Sequence, residues 1–190
     1  ILFIKYKVFF EQNQKNQQLQ EILKNLCQKI IAHSAQIVKL RILVKFADLA
    51  KAMNNKTMID SIKKQAMTSI TNQNPVIYLE AIKLCEKLCQ IEETFIKQAT
   101  TSAKKYSQST RQDLRRIGCG LFKALVKYRQ AIEPAIEAAQ NNSRHDNLSV
   151  RSEALDLFKV LIEHNQAFEL AASAAEFNIT NENEIFKQEA

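Results

Sequence analysis

The chain has 190 residues, of which 46% are hydrophobic and 25% are charged, and its formal net charge is +7. These proportions are typical of a folded protein and exclude a disordered low-complexity segment, which would hold far fewer large apolar residues. Only two Gly and two Pro occur. The turn residues that β-hairpins and β-barrels require are therefore nearly missing, and an all-α fold is expected.

The chain opens with an apolar segment, Ile1–Phe10, which Lys5 and Lys7 interrupt. This segment is too short to cross a bilayer, since a membrane-spanning helix needs about 20 apolar residues. We interpret it as an apolar helix or part of one, and the alternative is the remnant of a clipped targeting segment. No other apolar run reaches transmembrane length, so no membrane span is expected.

Apolar residues spaced three and four apart predict nine helices along the rest of the chain. The predicted helices cover residues 17–33, 36–53, 57–71, 76–90, 93–106, 110–128, 131–141, 149–164 and 166–177. Their starts are indicated by N-cap or first-turn residue types at Thr57, Asn74–Pro75, Ser109–Thr110 and Ser149.

A leucine-rich block recurs in the second half of the chain. The segments Leu84–Cys89, Leu121–Val126 and Leu157–Ile162 carry Leu at their first and fifth positions, at shifts of 37 and 36 residues. A small residue stands three positions before each block, at Ala81, Gly118 and Ala154, as close approach of a neighbouring backbone would require. A second apolar column follows at Phe95, Ile132 and Phe168, and a third at Ala99, Ile136 and Ala172. Repetition at this period is typical of stacked helix pairs.

The repeat predicts how the whole chain is organised. A less regular copy places Leu40, Phe46 and Ala50 in the columns of the later blocks, and Phe186–Ala190 matches Val150–Ala154. We therefore predict one right-handed α-solenoid of antiparallel helix pairs over residues 1–190, with a period of about 36 residues. Its parts are N-terminal helices in 1–35, an irregular repeat in 36–74, regular repeats in 75–108, 109–147 and 148–181, and a truncated next repeat in 182–190. The incomplete last repeat and a first residue other than Met predict a piece of a longer polypeptide.

Two segments of the last regular repeat resemble a known family. Val150–Leu161, with its Val-Arg pair, small residue and leucine ladder, resembles the first helix of a HEAT repeat, and Gln166–Ala172 resembles the second helix. The resemblance covers residues 75–177 closely and 36–74 loosely. It implies an α-solenoid of the HEAT/armadillo type, in which the second helices line a concave surface. The repeat over residues 75–108 departs from the pattern, because Tyr78 stands where the two later repeats have Arg115 and Arg151.

No catalytic apparatus is recognisable in the sequence. His33, His145 and His164 lie far apart, and no Ser–His–Asp or Cys–His–Asn set can be assembled around them. Two glycines cannot build a phosphate-binding loop. We therefore expect no enzymatic activity, no cofactor and no bound metal.

The four cysteines, Cys27, Cys85, Cys89 and Cys119, form no C-x-x-C pair. Cys85 and Cys89 are four residues apart on a predicted helix and could in principle share a metal ion. Phe, Val and Ile occupy their positions in the other copies, so we predict that both thiols pack in the core. Unpaired cysteines in helical segments favour a reducing compartment, and hence the cytoplasm.

Basic residues are concentrated between Lys104 and Arg129, in a stretch that holds one acidic residue, Asp113. The eight residues of this basic patch are Lys104, Lys105, Arg111, Arg115, Arg116, Lys123, Lys127 and Arg129. Such a patch suits nucleic-acid phosphates or an acidic protein surface. The alternative is a solvated face that keeps the protein soluble.

The resemblance and the repeat phase together predict a concave face on the second helices. The positions one and five residues beyond the apolar column are Ile96, Thr100, Glu133, Glu137, Glu169 and Ser173, and we refer to them as the concave-face set. Its character changes from neutral to acidic along the stack. We predict a scaffold that presents this surface to a partner protein or peptide, and the alternative is binding of a nucleic-acid phosphate backbone through the basic patch.

Overall fold

Nine α-helices make up the described part of the chain. The computed structural model describes the backbone of residues 17–33 and 35–188 and the side chains of residues 18–33 and 35–180. The helices are α1 (Gln17–Ala32), α2 (Gln36–Ala52), α3 (Lys56–Ser69), α4 (Pro75–Ile91), α5 (Glu93–Ser107), α6 (Gln112–Val126), α7 (Ile132–Asn142), α8 (Leu148–Glu163) and α9 (Phe168–Gln188). These residues contain no β-strand, so the predicted all-α class is confirmed.

Two predictions concern the chain ends. The apolar segment Ile1–Phe10 and the side chains of Phe186–Ala190 lie outside the described residues. The helix predicted over residues 166–177 is longer than expected, because the backbone of α9 stays helical to Gln188. None of the described helices combines the length and the apolar character of a membrane-spanning helix.

Asparagine side chains start three of the helices. Asn74 caps α4 with Pro75 in its first turn, as predicted. The caps of α3 and α8 are Asn55 and Asn147, whose Oδ1 atoms accept a backbone N–H three residues onward at 3.0 and 3.2 Å. The sequence had favoured a Thr and a Ser two residues later in each case. Because Asn, Ser and Thr all cap well, residue type alone does not distinguish such neighbouring candidates.

Chain contacts divide the protein into two compact units, Ile1–Phe95 and Ile96–Ala190. In the first unit α2 and α4 pack side by side, α3 packs against both, and α1 contacts α2 and α3. The core of this unit includes Leu40, Leu43, Phe46, Ile62, Leu84 and Leu88. The positions that the repeat marked as apolar columns are therefore core positions in this unit.

The second unit repeats this contact pattern. Helices α6 and α8 pack side by side, α7 packs against both, and α9 contacts α7 and α8. The core includes Leu121, Phe122, Leu125, Leu157, Phe158 and Leu161. Within each unit the helices named above therefore pack consecutively, against the helices one and two places onward, and the leucine blocks are buried as the repeat predicted.

A glycine sets the spacing between α5 and α6. A Cβ atom at Gly118 would lie 2.3 Å from the backbone N of Ser107 and 2.9 Å from the carbonyl O of Ala103. No side chain fits there, because real Cβ atoms do not approach backbone so closely. Ala81 and Ala154, in the same column, are fully buried. The predicted close approach at this column is confirmed at Gly118.

The predicted buried stripe of the second helices is correct on α5 and wrong on α9. Phe95 and Ala99 are fully buried, whereas Phe168 is 54% exposed and Ala172 is also exposed. The buried residues of α9 are Ala171, Ala174 and Asn178 instead. On α7 the predicted stripe residues Ile132 and Ile136 are only half-buried, and the buried residues include Ala135, Ala138 and Asn142, 36 positions before those of α9. The physical reason is that these two helices turn a neighbouring face, lined by small residues, toward the core.

Candidate functional site

The concave-face set lies on α5, α7 and α9 of the second unit. Glu133 and Glu137 are exposed on α7, and Glu169 is exposed on the neighbouring α9. None of these three carboxylates makes an ion pair with a described residue. Ile96 and Thr100 on α5 are only half-buried. The acidic end of the predicted surface is therefore accessible to solvent.

Ser173, the last member of the set, has a partner within the chain. Its Oγ accepts a hydrogen bond from Nη2 of Arg144 at 3.0 Å. The Arg144 guanidinium also lies over the ring of Phe177, 5.1 Å from the ring centre. This cation–π contact holds the guanidinium against α9. The apolar periodicity could not predict this contact, because Arg144 lies in the turn before α8.

Three members of the basic patch are bonded within the unit. Arg111 pairs with Asp113 at 2.6 Å, and the hydrogen bond from this guanidinium lowers the pKa of Asp113. Lys123 is half-buried between α6 and α8, where its Nζ lies 2.5 Å from Glu153 and 3.6 Å from Asp156. The charge that these residues present to a partner is smaller than the sequence count suggests.

Arg115 is the third of these residues, and its role is structural. Its Nε donates to the carbonyl O of Ser109 at 2.5 Å, and its Nη1 donates to Oδ1 of Asn142 at 2.9 Å. Arg115 thereby connects the start of α6 to the end of α7. A guanidinium is suited to this task because its planar fork can serve several acceptors at fixed angles.

The remaining basic residues form the exposed part of the patch. Lys104, Lys105, Lys127 and Arg129 are exposed, and Arg116 is half-buried. Lys104 and Glu137 line the same shallow cleft between α5 and α7. The structure thus brings one residue of the basic patch and one residue of the concave-face set to the same cleft, which the sequence did not predict.

Two of the second helices, α7 and α9, each bury an asparagine that the apolar periodicity did not predict. The Nδ2 group of Asn142 donates to the carbonyl oxygens of Ser107 at 3.1 Å and Ala138 at 2.8 Å. Nδ2 of Asn178 makes the same two contacts 36 residues onward, to Ser143 at 2.9 Å and Ala174 at 2.7 Å. The available signal was the spacing Ala-x-x-x-Asn, which occurs at both positions.

Arginine contacts to the preceding turn recur at the same interval. Arg115 donates to the carbonyl O of Ser109, and Arg151 donates to that of His145 at 3.0 Å, in both cases six residues back. The turns before α2, α4, α6 and α8 also share one hydrogen bond. The side chains of residues 33, 72, 109 and 145 each accept the backbone N–H two residues onward. These bonds satisfy backbone donors that are free at helix starts.

The cysteines are all buried and unpaired. Burial raises the pKa of Cys27 to about 11 and those of Cys89 and Cys119 to about 12, and it raises the pKa of Cys85 well above its usual value. Their pKa values are raised because burial disfavours the charged thiolate. Cys85 and Cys89 are core residues, as predicted. Within the described residues, no three His, Cys, Asp or Glu side chains are placed to hold a metal ion.

One buried carboxylate lies in the first unit. Glu80 accepts hydrogen bonds from Arg41 at 3.0 Å and Lys83 at 3.2 Å. Burial by itself raises the pKa of Glu80, but the hydrogen bonds and charges of the two cations outweigh it and leave the pKa below its usual value. This cluster connects α2 to α4, and its role is structural.

Comparison with known proteins does not assign the chain to a family. No protein-family model matches the chain, and no curated protein sequence matches it. The functional interpretation therefore rests on the residues described above.

Proposed function

We propose that the chain is an α-solenoid of the HEAT/armadillo type that acts as a non-enzymatic scaffold for a partner protein or peptide. The observation that carries the proposal is the pair of equivalent contacts of Asn142 and Asn178, 36 residues apart. Identical side-chain contacts at a fixed interval are expected of stacked helix pairs with one shared geometry. The consecutive packing of the helices supports the same interpretation.

The partner surface that we propose is the exposed acidic part of the concave-face set. Glu133 and Glu137 on α7 and Glu169 on α9 place three unpaired carboxylates on two helices in contact. Such a surface attracts Lys and Arg side chains, both during encounter and in the complex. We therefore propose that the partner is a basic peptide or a basic face of a helix.

The hydrogen bonds of Asn142 support this role because they hold the helices of the proposed surface rigidly together. Asn142 is fully buried, and its carboxamide bonds to Ser107, Ala138 and Arg115, which lie on three different helices. A surface whose helices are fixed in this way loses little entropy when it binds. We also propose a reducing compartment such as the cytoplasm, because all four thiols are unpaired.

The test is affinity capture from a nuclease-treated lysate of the source cell. The bait is the whole chain, compared with a variant in which Glu133, Glu137 and Glu169 are all replaced by Arg. A matched control reverses two exposed acidic residues elsewhere, Asp146 and Glu163. We expect one protein to be captured by the native chain and the control and lost with the triple variant. Equal capture by all three baits would refute the proposed surface.

Nucleic-acid binding through the basic patch is the second candidate function. Lys104, Lys105 and Arg129 favour it, because they are exposed and make no ion pair with a described residue. Binding to phosphates depends steeply on salt concentration, since cations are released from the nucleic acid. This candidate would be supported if the captured material disappears on nuclease treatment or at high salt. The double variant Lys104→Ala/Lys105→Ala should then also lose it.

A further inference from the structure

The cleft between α5 and α7 has walls of opposite charge. Lys104 lines the α5 wall, and Glu137 lines the α7 wall. Both side chains are exposed, and neither makes an ion pair with a described residue. The two charges therefore line one cleft without neutralising each other, and both are accessible to a partner.

A buried hydrogen bond joins the two walls. Ser107 of α5 and Asn142 of α7 also line the cleft, and they are 3% and 0% exposed. The Nδ2 group of Asn142 donates to the carbonyl O of Ser107 at 3.1 Å. Because this bond is buried, breaking it would leave polar groups without a partner, and α5 and α7 are held in one register. The backbone positions of Lys104 and Glu137 are consequently set by the fold and need no rearrangement on binding.

The equivalent positions of the next repeat are satisfied within the chain. Gln108 and Glu137 line the α5–α7 cleft, and the residues 36 positions onward are Arg144 and Ser173. Nη2 of Arg144 donates to Oγ of Ser173 at 3.0 Å. The side chains of Gln108 and Glu137 have no such partner among the described residues. Of these two equivalent places, the α5–α7 cleft is therefore the one whose polar groups are open to a ligand.

A partner that covers this cleft must supply charges of both signs. Covering an unpaired charge is costly, because the charged group loses its hydration and gains nothing in return. A wholly basic segment would pair with Glu137 but would place a like charge beside Lys104, which weakens binding. An acidic residue of the partner against Lys104 replaces that repulsion with a second ion pair.

We propose that the cleft between α5 and α7 binds a peptide segment of mixed charge, with a basic residue against Glu137 and an acidic residue against Lys104. This inference rests on the proposed function and narrows its partner, because a segment that is basic throughout does not fit this cleft. Lys104 is then a specificity-determining residue, since its charge rejects such segments.

The probe is a random peptide library displayed on phage and selected on the whole purified chain. We expect the selected peptides to share basic residues together with an acidic one. The most enriched peptide is synthesised, and its Kd is measured by isothermal titration calorimetry. Replacing the shared acidic residue of this peptide by Lys should raise the Kd for the native chain by about tenfold or more.

Charge reversal on the protein identifies the contact. Lys104→Glu should bind the Lys-substituted peptide more tightly than the original peptide, because the ion pair forms again with its signs exchanged. Glu137→Lys should likewise recover a peptide whose basic residue is replaced by Glu. The matched control is Lys105→Glu, since Lys105 is exposed beside Lys104 but lies outside the cleft lining, and it should keep the native preference. Circular dichroism establishes that the variants are folded.

The outcomes separate this inference from the proposed function. Selected peptides that are basic but hold no acidic residue overturn the inference and leave the proposed function intact. A Lys104→Glu chain that keeps the native preference does the same. Selected peptides without any basic residue contradict the proposed function as well, and so does a library from which the chain selects no peptide.

Discussion

The side-chain amide of Asn142, near the end of α7, donates to the carbonyl oxygen of Ser107, the last residue of α5. Helix ends leave carbonyl groups without an intrahelical partner, and a buried carbonyl must find one elsewhere. Asn142 supplies that partner for α5 and simultaneously orients Arg115 through its Oδ1. One buried side chain thus fixes the relative positions of three helices.

Replacing Asn142 by Ala should therefore destabilise the protein. We expect the free energy of unfolding to fall by about 1–3 kcal/mol, the usual cost of leaving buried hydrogen-bonding groups unsatisfied. Urea denaturation followed by circular dichroism gives this value. The control is Asn141→Ala, at an exposed neighbouring position, which should change stability by less than about 0.5 kcal/mol. Equal effects of the two substitutions would contradict a structural role for the buried amide.

A methyl group at Gly118 should separate α5 from α6. Alanine favours a helix over glycine by up to about 1 kcal/mol, yet the new Cβ would lie 2.3 Å from the backbone N of Ser107. We expect Gly118→Ala to cost about 1–3 kcal/mol of unfolding free energy, because backbone cannot move aside as a flexible side chain can. Thermal and urea unfolding measure this. The control is Ser152→Ala, on the exposed side of α8. A Gly118→Ala chain that is more stable than the native chain would show that α5 and α6 are not in contact at this position.

The buried thiols should make the protein less stable in alkali. An unfolded cysteine loses its proton near pH 9.0, whereas in the folded chain burial, assisted by the charge of Glu153, raises the pKa of Cys119 to about 12. Above pH 9 the unfolded state binds fewer protons than the folded state, so stability falls as pH rises. Between about pH 8 and about pH 10 this thiol alone should cost roughly 1 kcal/mol.

Comparison with Cys119→Ala isolates that contribution, because lysines and tyrosines titrate equally in both proteins. The native chain should lose more stability than the variant between the two pH values in urea titrations. Parallel losses in the two proteins would mean that the Cys119 thiolate forms as easily in the folded chain as in the unfolded one.

The carboxylate of Glu80 should stabilise the first unit in a way that acid removes. Its pKa is lowered on folding, so its contribution is fully present above the usual value of 4.5 and is lost as the pH falls through the lowered value. Glu80→Gln should cost about 1 kcal/mol near pH 7, a modest figure because the Arg41 and Lys83 side chains are 63% and 61% exposed. The difference between native and variant unfolding free energies should therefore shrink as the pH falls below 4.5 and through the lowered pKa. Glu163→Gln, at an exposed position, is the control and should show no such dependence.

Local sequence determined the secondary structure and most of the core. The periodicity of apolar residues predicted all nine described helices, and the leucine blocks are buried because a helix buries the same face in every copy of a repeat. The small residues at Ala81, Gly118 and Ala154 likewise predicted the close contact at Gly118, because the same position is packed in every copy of the repeat. Helix starts were less well predicted, since Asn55 and Thr57 are both good caps and only the backbone path selects one.

Tertiary packing alone decided which polar residues became structural. Arg115 and Lys123 looked like members of one basic surface, but neighbouring helices supply Asn142 to the first and Glu153 to the second. Burial of Phe95 and exposure of Phe168, in the same sequence column, likewise depend on what lies next to each helix. A sequence pattern specifies which face of a helix is apolar, but the partner that covers a face or neutralises a charge comes from residues distant in the chain.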